Sequence, residues 1–418
     1  MNDLSSPPLA DRTLSNERLA EIDAYYSNEV ASGRMAGLVY GIAHHGKLVR
    51  SNAIGHADIE NGRAMAPDTV FRLYSMTKPI AAVALMILHA EGRFQLDDPV
   101  SLYLPEFADM RVLRAADAAP DDTVPAEREM TIRDVLQHTA GLGMGFGIGG
   151  TGERLLAEAV VYDPAETLDD QMRKVASIPL CTQPGQVWSY SLSPDIQARL
   201  VEILSGESFG AFLQRRLFDP LGMKDTAFAP RPDMVARLAR VYWQKDGALS
   251  PWIADNVPET PPGLPAWPAA FANLHDTSLS YERGSFGLYS TLDDYLRFAQ
   301  MLLDGGSHAG GRILPEETVR LMATDHLGEV PMIWPLQGLG FGLGMAVLRD
   351  PAKAGYAGTP GMFHWDGAAA TIMWIDPKED LVVVALSQHL MVPGRDPDSF
   401  GAEMRNRVYA ALPDRAAL

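Results

Sequence analysis

One serine and one lysine stand at a spacing that suits nucleophilic chemistry, in Ser75-Met76-Thr77-Lys78. On the first turn of a helix, residues three apart share a face, so the Lys78 amine can reach the Ser75 hydroxyl. The helix N-terminus adds partial positive charge, which favours an alkoxide and the oxyanion formed by its attack. A lysine held there among apolar neighbours has a depressed pKa and can accept the serine proton. The same four letters also describe a helix cap followed by a surface lysine, and the pair alone leaves both readings open. Of the seven lysines in the chain, only Lys78 has a serine three residues before it.

Two further segments offer partners. Tyr190 follows a Pro184-Gly185 turn and precedes Ser193-Pro194, which reads as an N-cap and first helical residue, so its phenol sits on a constrained loop. It can relay a proton to a leaving group, or it can simply pack its ring. Trp365-Asp366-Gly367-Ala368 opens a late apolar strand. Gly367 would let a substrate approach the strand edge, where the Ala368 N–H could join the Ser75 N–H in holding an oxyanion. An ordinary strand with one aromatic residue reads the same way.

Other patterns carry less. Gly206-Glu207-Ser208-Phe209-Gly210 matches G-x-S-x-G, but that elbow needs a strand before it, whereas Ile196 to Leu204 reads as helix and Ser208 as the cap of the next one. Gly145 to Gly150 matches G-x-G-x-x-G without a βαβ unit or a ribose-binding acid, and reads as a mobile loop at a cleft rim rather than a dinucleotide site. The ten histidines lack zincin spacing, and the single cysteine, Cys181, reads as a small buried hydrophobe, so neither a metal nor another cofactor is expected.

The elements that must position these residues follow from periodicity. Leu19, Ile22, Tyr26 and Val30 recur at helical spacing behind a Ser15 cap. The runs Ala36 to Ala43 and Lys47 to Ile54 flank His44-His45-Gly46 as a hairpin. A helix spans Ser75 to Ala90, with Ile80, Val83, Ala84, Ile87 and Leu88 on one face and Pro79 tolerated in its first turn. From about 101 to 284, helical patterns such as Ile132 to Gln137 and Asp195 to Leu204 alternate with Gly/Pro-rich loops. Strand signals return in Gly340 to Leu348, Met362 to Asp376 and Leu381 to Ser387, before a final amphipathic stretch from Phe400 to Leu412. Strands at both ends around a helical middle imply one antiparallel sheet flanked by helices, an α+β fold with the site in the cleft beside a helical subdomain.

Composition narrows the function. The 418 residues include 47% apolar and 21% charged side chains, those of an ordinary globular protein. A formal net charge of -18, with 35 basic residues in no dense cluster, argues against nucleic acid and anionic membrane as partners. One cysteine permits no intrachain disulfide, and the N-terminus lacks the basic start and apolar stretch of a secretory signal, so a cytoplasmic enzyme is expected.

Together, and in this order, these segments resemble the serine β-lactamase and penicillin-binding fold, most closely the carboxylesterases related to class C β-lactamases, often called family VIII esterases. Phe71 to Ile80 (FRLYSMTKPI) resembles the nucleophile helix, the Tyr190 segment its tyrosine loop, and Trp365-Asp366-Gly367 falls where β-lactamases carry Lys-Thr-Gly. Val135 to Leu142 (VLQHTAGL), Phe218 to Met223 (FDPLGM) and Gly287 to Thr291 (GLYST) also match. The resemblance implies an N-terminal extension (1–17) and one hydrolase domain (18–410), with an α/β part (18–100 and 285–410) around a mainly helical part (101–284). It implies Ser75 as acylated nucleophile, Lys78 as its base, Tyr190 as proton relay, and the Ser75 and Ala368 amides as the oxyanion hole. Trp365 replaces the lysine of Lys-Thr-Gly, and Leu192 replaces the asparagine two places after the tyrosine. With Asp366 and Gly367 these are the expected substrate-binding positions, and both replacements favour neutral esters over anionic β-lactams. A small-molecule ester is the expected partner. The rivals are a β-lactamase or D-alanyl-D-alanine peptidase, an acyltransferase to an alcohol, and a non-catalytic sensor or binding module.

Overall fold

The computed structural model describes residues 13–146, 149–159, 163–245, 247–253, 276–278, 282–333, 336–390 and 399–413. Residues 1–12 of the expected extension, and Gly147 and Ile148 of the glycine tract, lie outside them. An antiparallel sheet of eight strands joins the two ends of the chain: β1 (Gly37–His44), β2 (Lys47–Asp58), β3 (Arg63–Ala64), β4 (Leu339–Phe341), β5 (Ala346–Leu348), β6 (Phe363–Gly367), β7 (Thr371–Asp376) and β8 (Leu381–Ser387), in the order β4-β5-β6-β7-β8-β1-β2-β3. The β1–β2 hairpin turns through His45 and Gly46 at φ 51° and 66°, the left-handed pair of a tight hairpin turn.

Period-two alternation decides which face each residue of β1 and β8 covers. Leu38, Tyr40, Ile42, Leu381, Val383 and Ala385 pack with α1 (Asn16–Ala31) and the C-terminal helix (Ser399–Ala410), while Val39, Val382, Val384 and Leu386 join the larger core on the opposite face. That larger core encloses α2 (Thr77–Ala90). The expected helix has one apolar face, but every side chain from Thr77 to Leu88 is buried. The reason is a neighbour on each side: α2 packs against α5 (Ser193–Ser205), and the turn between β4 and β5 closes onto it so tightly that a Cβ on Gly344 would lie 2.2 Å from the Ala82 side chain. Each buried Ile, Val or Leu there contributes roughly 1.5–3 kcal/mol. Further helices are α3 (Ile132–Gln137), α4 (Leu168–Ala176), α6 (Phe209–Leu213) and α7 (Leu292–Leu303); the C-terminal helix is α8.

Two expected continuous strands are hairpins. Gly340 to Leu348 folds as β4 and β5 around Gly342–Met345, and Met362 to Asp376 as β6 and β7 around Ala368–Ala370. Their turns are built from small or apolar residues, with Gly344 at φ 98° and Ala370 at φ 55°, so no polar turn signal interrupts the apolar run.

Candidate active site

Ser75 lies in a single 3-10 turn, Tyr74–Met76, that runs directly into α2. It is half-buried, and its neighbours on both sides are fully buried. Tyr74, just before it, is held in the left-handed region at φ 50°, a conformation a bulky residue adopts only when its surroundings impose it. They do: the Tyr74 ring is buried in a small apolar cluster with Val241, Trp243, Trp252, Ala369 and Leu390.

Lys78, buried one turn on, donates from Nζ to Ser75 Oγ at 3.1 Å and to the Ser285 carbonyl at 2.7 Å. Burial pulls its pKa down to about 7, against the opposing pull of Asp195. A neutral amine able to take the Ser75 proton is therefore well populated at neutral pH. Tyr190, 115 residues further along, donates its hydroxyl to Ser75 Oγ at 2.6 Å, and its ring centroid lies 4.7 Å from Lys78 Nζ. Burial pushes the Tyr190 phenol up, the Ser75 hydroxyl and the Trp365 indole opposing and Asp195 reinforcing. The resting phenol thus carries its proton and can give it away. Ser75, Lys78 and Tyr190 converge on one oxygen atom.

The Tyr190 loop is braced along its length. Gly185 N–H donates to Thr139 O at 2.8 Å, Trp188 N–H to Pro331 O at 2.9 Å, Ser189 N–H to His138 O at 2.9 Å and Leu192 N–H to Gly143 O at 3.0 Å. Ser193 begins α5 rather than capping it; Leu192 is the cap residue, and the Ser191 hydroxyl accepts the Ser193 N–H at 3.4 Å.

At the end of β6 the expected substrate positions separate. Trp365 faces the site, its indole 5.7 Å from the Tyr190 ring and 5.4 Å from Phe341. Asp366 does not: alternation turns it to the other face of the sheet, where it pairs with Arg405 of α8 at 3.1 Å. Leu192 is fully buried in the core, so its side chain gives a ligand no surface. Gly367 is needed for the fold itself, because a Cβ there would lie 2.5 Å from the Leu73 carbonyl. That close approach, with Thr371 Oγ1 donating to the same carbonyl at 3.1 Å, brings the half-buried Ala368 turn beside the 3-10 turn of Ser75.

Sequence reading missed the residues that hold this constellation from behind. Asp195, fully buried, accepts the Ser285 N–H at 2.7 Å and the Gln171 amide at 2.9 Å, and so fixes the carbonyl that binds Lys78. Burial raises its pKa, with Arg283 opposing first. An acid in a first helical turn looks like ordinary dipole compensation, and a carbonyl ligand such as that of Ser285 leaves no trace in a residue type. His138 was visible only inside VLQHTAGL.

Ser208 caps α6, accepting the Ala211 N–H at 3.3 Å, and follows a helix ended by Gly206, which is the context expected of a cap and not of a nucleophile elbow. Burial pushes the Cys181 thiol up to about 12, as suits an unreactive side chain. Among the described residues no group of three or more His, Cys, Asp or Glu could hold a metal ion, and no helix is long and apolar enough to cross a membrane.

Against this geometry, residues 22–401 match the family described as Beta-lactamase. The chain belongs to the Beta-lactamase family. Within the Beta-lactamase family it is similar to Esterase EstB of Burkholderia gladioli, 34% identical over 398 residues that cover 94% of this chain and 95% of EstB. An uncharacterized protein of Mycobacterium tuberculosis is 35% identical over 392 residues, 91% of this chain and 92% of that one. Among solved structures, EstCE1, a hydrolase with promiscuous acyltransferase activity, matches with a TM-score of 0.78 at 28% identity, covering 94% of this chain and 99% of EstCE1. The resemblance read from the sequence and the α+β fold it implied are both borne out.

Proposed function

We propose that the protein is a serine carboxylesterase that hydrolyses short-chain neutral esters through an acyl intermediate on Ser75. The observation that carries this reading is the pair of hydrogen bonds to Ser75 Oγ, from Lys78 Nζ at 3.1 Å and Tyr190 Oη at 2.6 Å. Neutral Lys78 takes the hydroxyl proton as Oγ bonds to the ester carbonyl carbon. The Ser75 and Ala368 N–H groups hold the resulting oxyanion, a role supported by the contact of the β6 end with Leu73. As the C–O bond breaks, Tyr190 protonates the departing alkoxide and regains a proton from the Lys78 ammonium. Water then attacks the acyl-Ser75 carbonyl, losing a proton to the same pair, which returns it to Ser75 Oγ as the acyl–Oγ bond breaks and the carboxylic acid leaves.

The choice of neutral esters rests on Trp365, which sets an indole against Tyr190 where a β-lactamase-like site would offer a cation to a substrate carboxylate. Losing a charged contact costs roughly 1.5–3 kcal/mol, one to two decades in rate if felt at the transition state. Similarity to Esterase EstB supports the ester class. A cytoplasmic location belongs to the same proposal, supported by a lone cysteine. The promiscuous acyltransferase activity of EstCE1 favours alcohol as an alternative to water in deacylation. The test is to compare kcat/KM for p-nitrophenyl butyrate and for nitrocefin under one set of conditions, with and without an added alcohol. The ester is expected to exceed nitrocefin by at least about tenfold. A nitrocefin value equal to or above the ester's would make the protein a β-lactamase first, and butyryl transfer outpacing hydrolysis would make it an acyltransferase.

A further inference from the structure

We propose that His138 is the positioning residue of Tyr190, gripping the backbone on both sides of the phenol and thereby aiming its hydroxyl at Ser75. This rests on the role given to Tyr190 above.

His138 is the first residue beyond α3 and stands in the left-handed region at φ 60°. Glycine takes that conformation freely, whereas a side chain there is strained. From this backbone its two acceptors reach the chain on either side of Tyr190. The His138 carbonyl accepts the Ser189 N–H at 2.9 Å. Its Nδ1 accepts the Ser191 N–H at 3.2 Å and lies 2.9 Å from Ser191 Oγ. The imidazole also packs against the phenol it positions, 5.4 Å from the Tyr190 ring centroid with the two planes tilted by 43°. The other braces of the loop act at Gly185, Trp188 and Leu192, further from the phenol.

The grip requires a neutral ring. Nδ1 accepts a backbone N–H, so the ring proton sits on Nε2, and a cationic imidazole would have no lone pair for Ser191. Burial, followed by the nearby Lys78 charge, holds the His138 pKa down to about 3. The contact therefore persists wherever the enzyme is folded and active. A proton donor must sit within hydrogen-bond reach of its acceptor, and a displacement of about 1 Å can cost roughly 10²-fold in rate.

His138→Phe keeps the ring and deletes Nδ1; His138→Asn suits the left-handed backbone and returns an acceptor. Rates should be normalised to the Ser75 sites titrated by a phosphonate. For ethyl butyrate, whose alkoxide needs a proton to leave, His138→Phe is expected to lower kcat by about 10²-fold while KM stays within about threefold. For p-nitrophenyl butyrate, whose phenolate leaves unaided, the loss should be about tenfold or less, and His138→Asn should recover most of it. In a Tyr190→Phe background, adding His138→Phe should cost less than about twofold. Losses that multiply in the double variant, or a defect equal for both esters, overturn the positioning role and leave that of Tyr190 standing. Normal turnover of both esters by Tyr190→Phe alone overturns both. Should His138→Phe not fold, His138→Gly, which removes the same acceptor without backbone strain, must show the same pattern.

Discussion

Two serines in this chain sit inside nucleophile patterns, and their surroundings differ in the one respect that matters for reactivity. Ser208 is exposed and caps a helix; its oxygen accepts the Ala211 N–H at 3.3 Å, beside a surface pair between Glu207 and Arg215. One of its two lone pairs is committed to the fold. Ser75 is no cap. Its oxygen receives an amine and a phenol, at 3.1 and 2.6 Å, from partners that burial leaves close to neutral. A helix terminus is common to both regions; the buried amine within reach of the hydroxyl is found at Ser75 and not at Ser208.

The comparison breaks most visibly under substitution. Ser75→Ala should abolish turnover and Ser208→Ala leave it near normal, and mass mapping of a phosphonate adduct should find it on Ser75; label on Ser208 would reverse the assignment. Next in size, Lys78→Ala and Tyr190→Phe should each lose roughly 10²–10⁴-fold in kcat, the usual worth of a general acid or base. Normal rates from either variant would remove that residue from the proton path. The pH profile sharpens the same contrast. Lys78 must be neutral to act, so kcat/KM should fall about tenfold per unit as pH drops below about 7 and level off above it. A limb centred between about pH 4 and 5 would point to a carboxylate base instead. The smallest effect is at Ser208, where the alanine variant should lose about 1 kcal/mol of stability with the helix cap, read as a lower denaturation midpoint.

Local chemistry was legible in the residues. The Ser15 cap and its helix, the His45-Gly46 hairpin, Ile132–Gln137 and Leu381–Ser387 all follow from spacings of two, three or four residues, and the reach from Lys78 to Ser75 is of that kind. Tyr190 lies 115 residues from Ser75, and only the resemblance tied them together. The turn of Asp366 toward α8 and of Leu192 into the core was not legible, because a motif position does not say which face of a strand a side chain takes, or whether it ends in the core. Supports that act through main-chain atoms, the carbonyls of Ser285 and His138, could not be seen at all, since every residue type carries a carbonyl.

The order of the sheet has a consequence for how the chain is made. β1 completes its pairing only with β8, and the Ser387 hydroxyl bonds to the Gly37 carbonyl 350 residues away. Contacts of such long separation form late and fold slowly, because the loop must close before the pairing repays it. A ribosome-bound chain that has emerged through residue 250 therefore contains Ser75, Lys78 and Tyr190 but lacks β4 to β8, the Ser285 carbonyl and the Thr371 tether on Leu73. Such a nascent chain should be inert towards a phosphonate, with reactivity appearing only once β8 has left the exit tunnel.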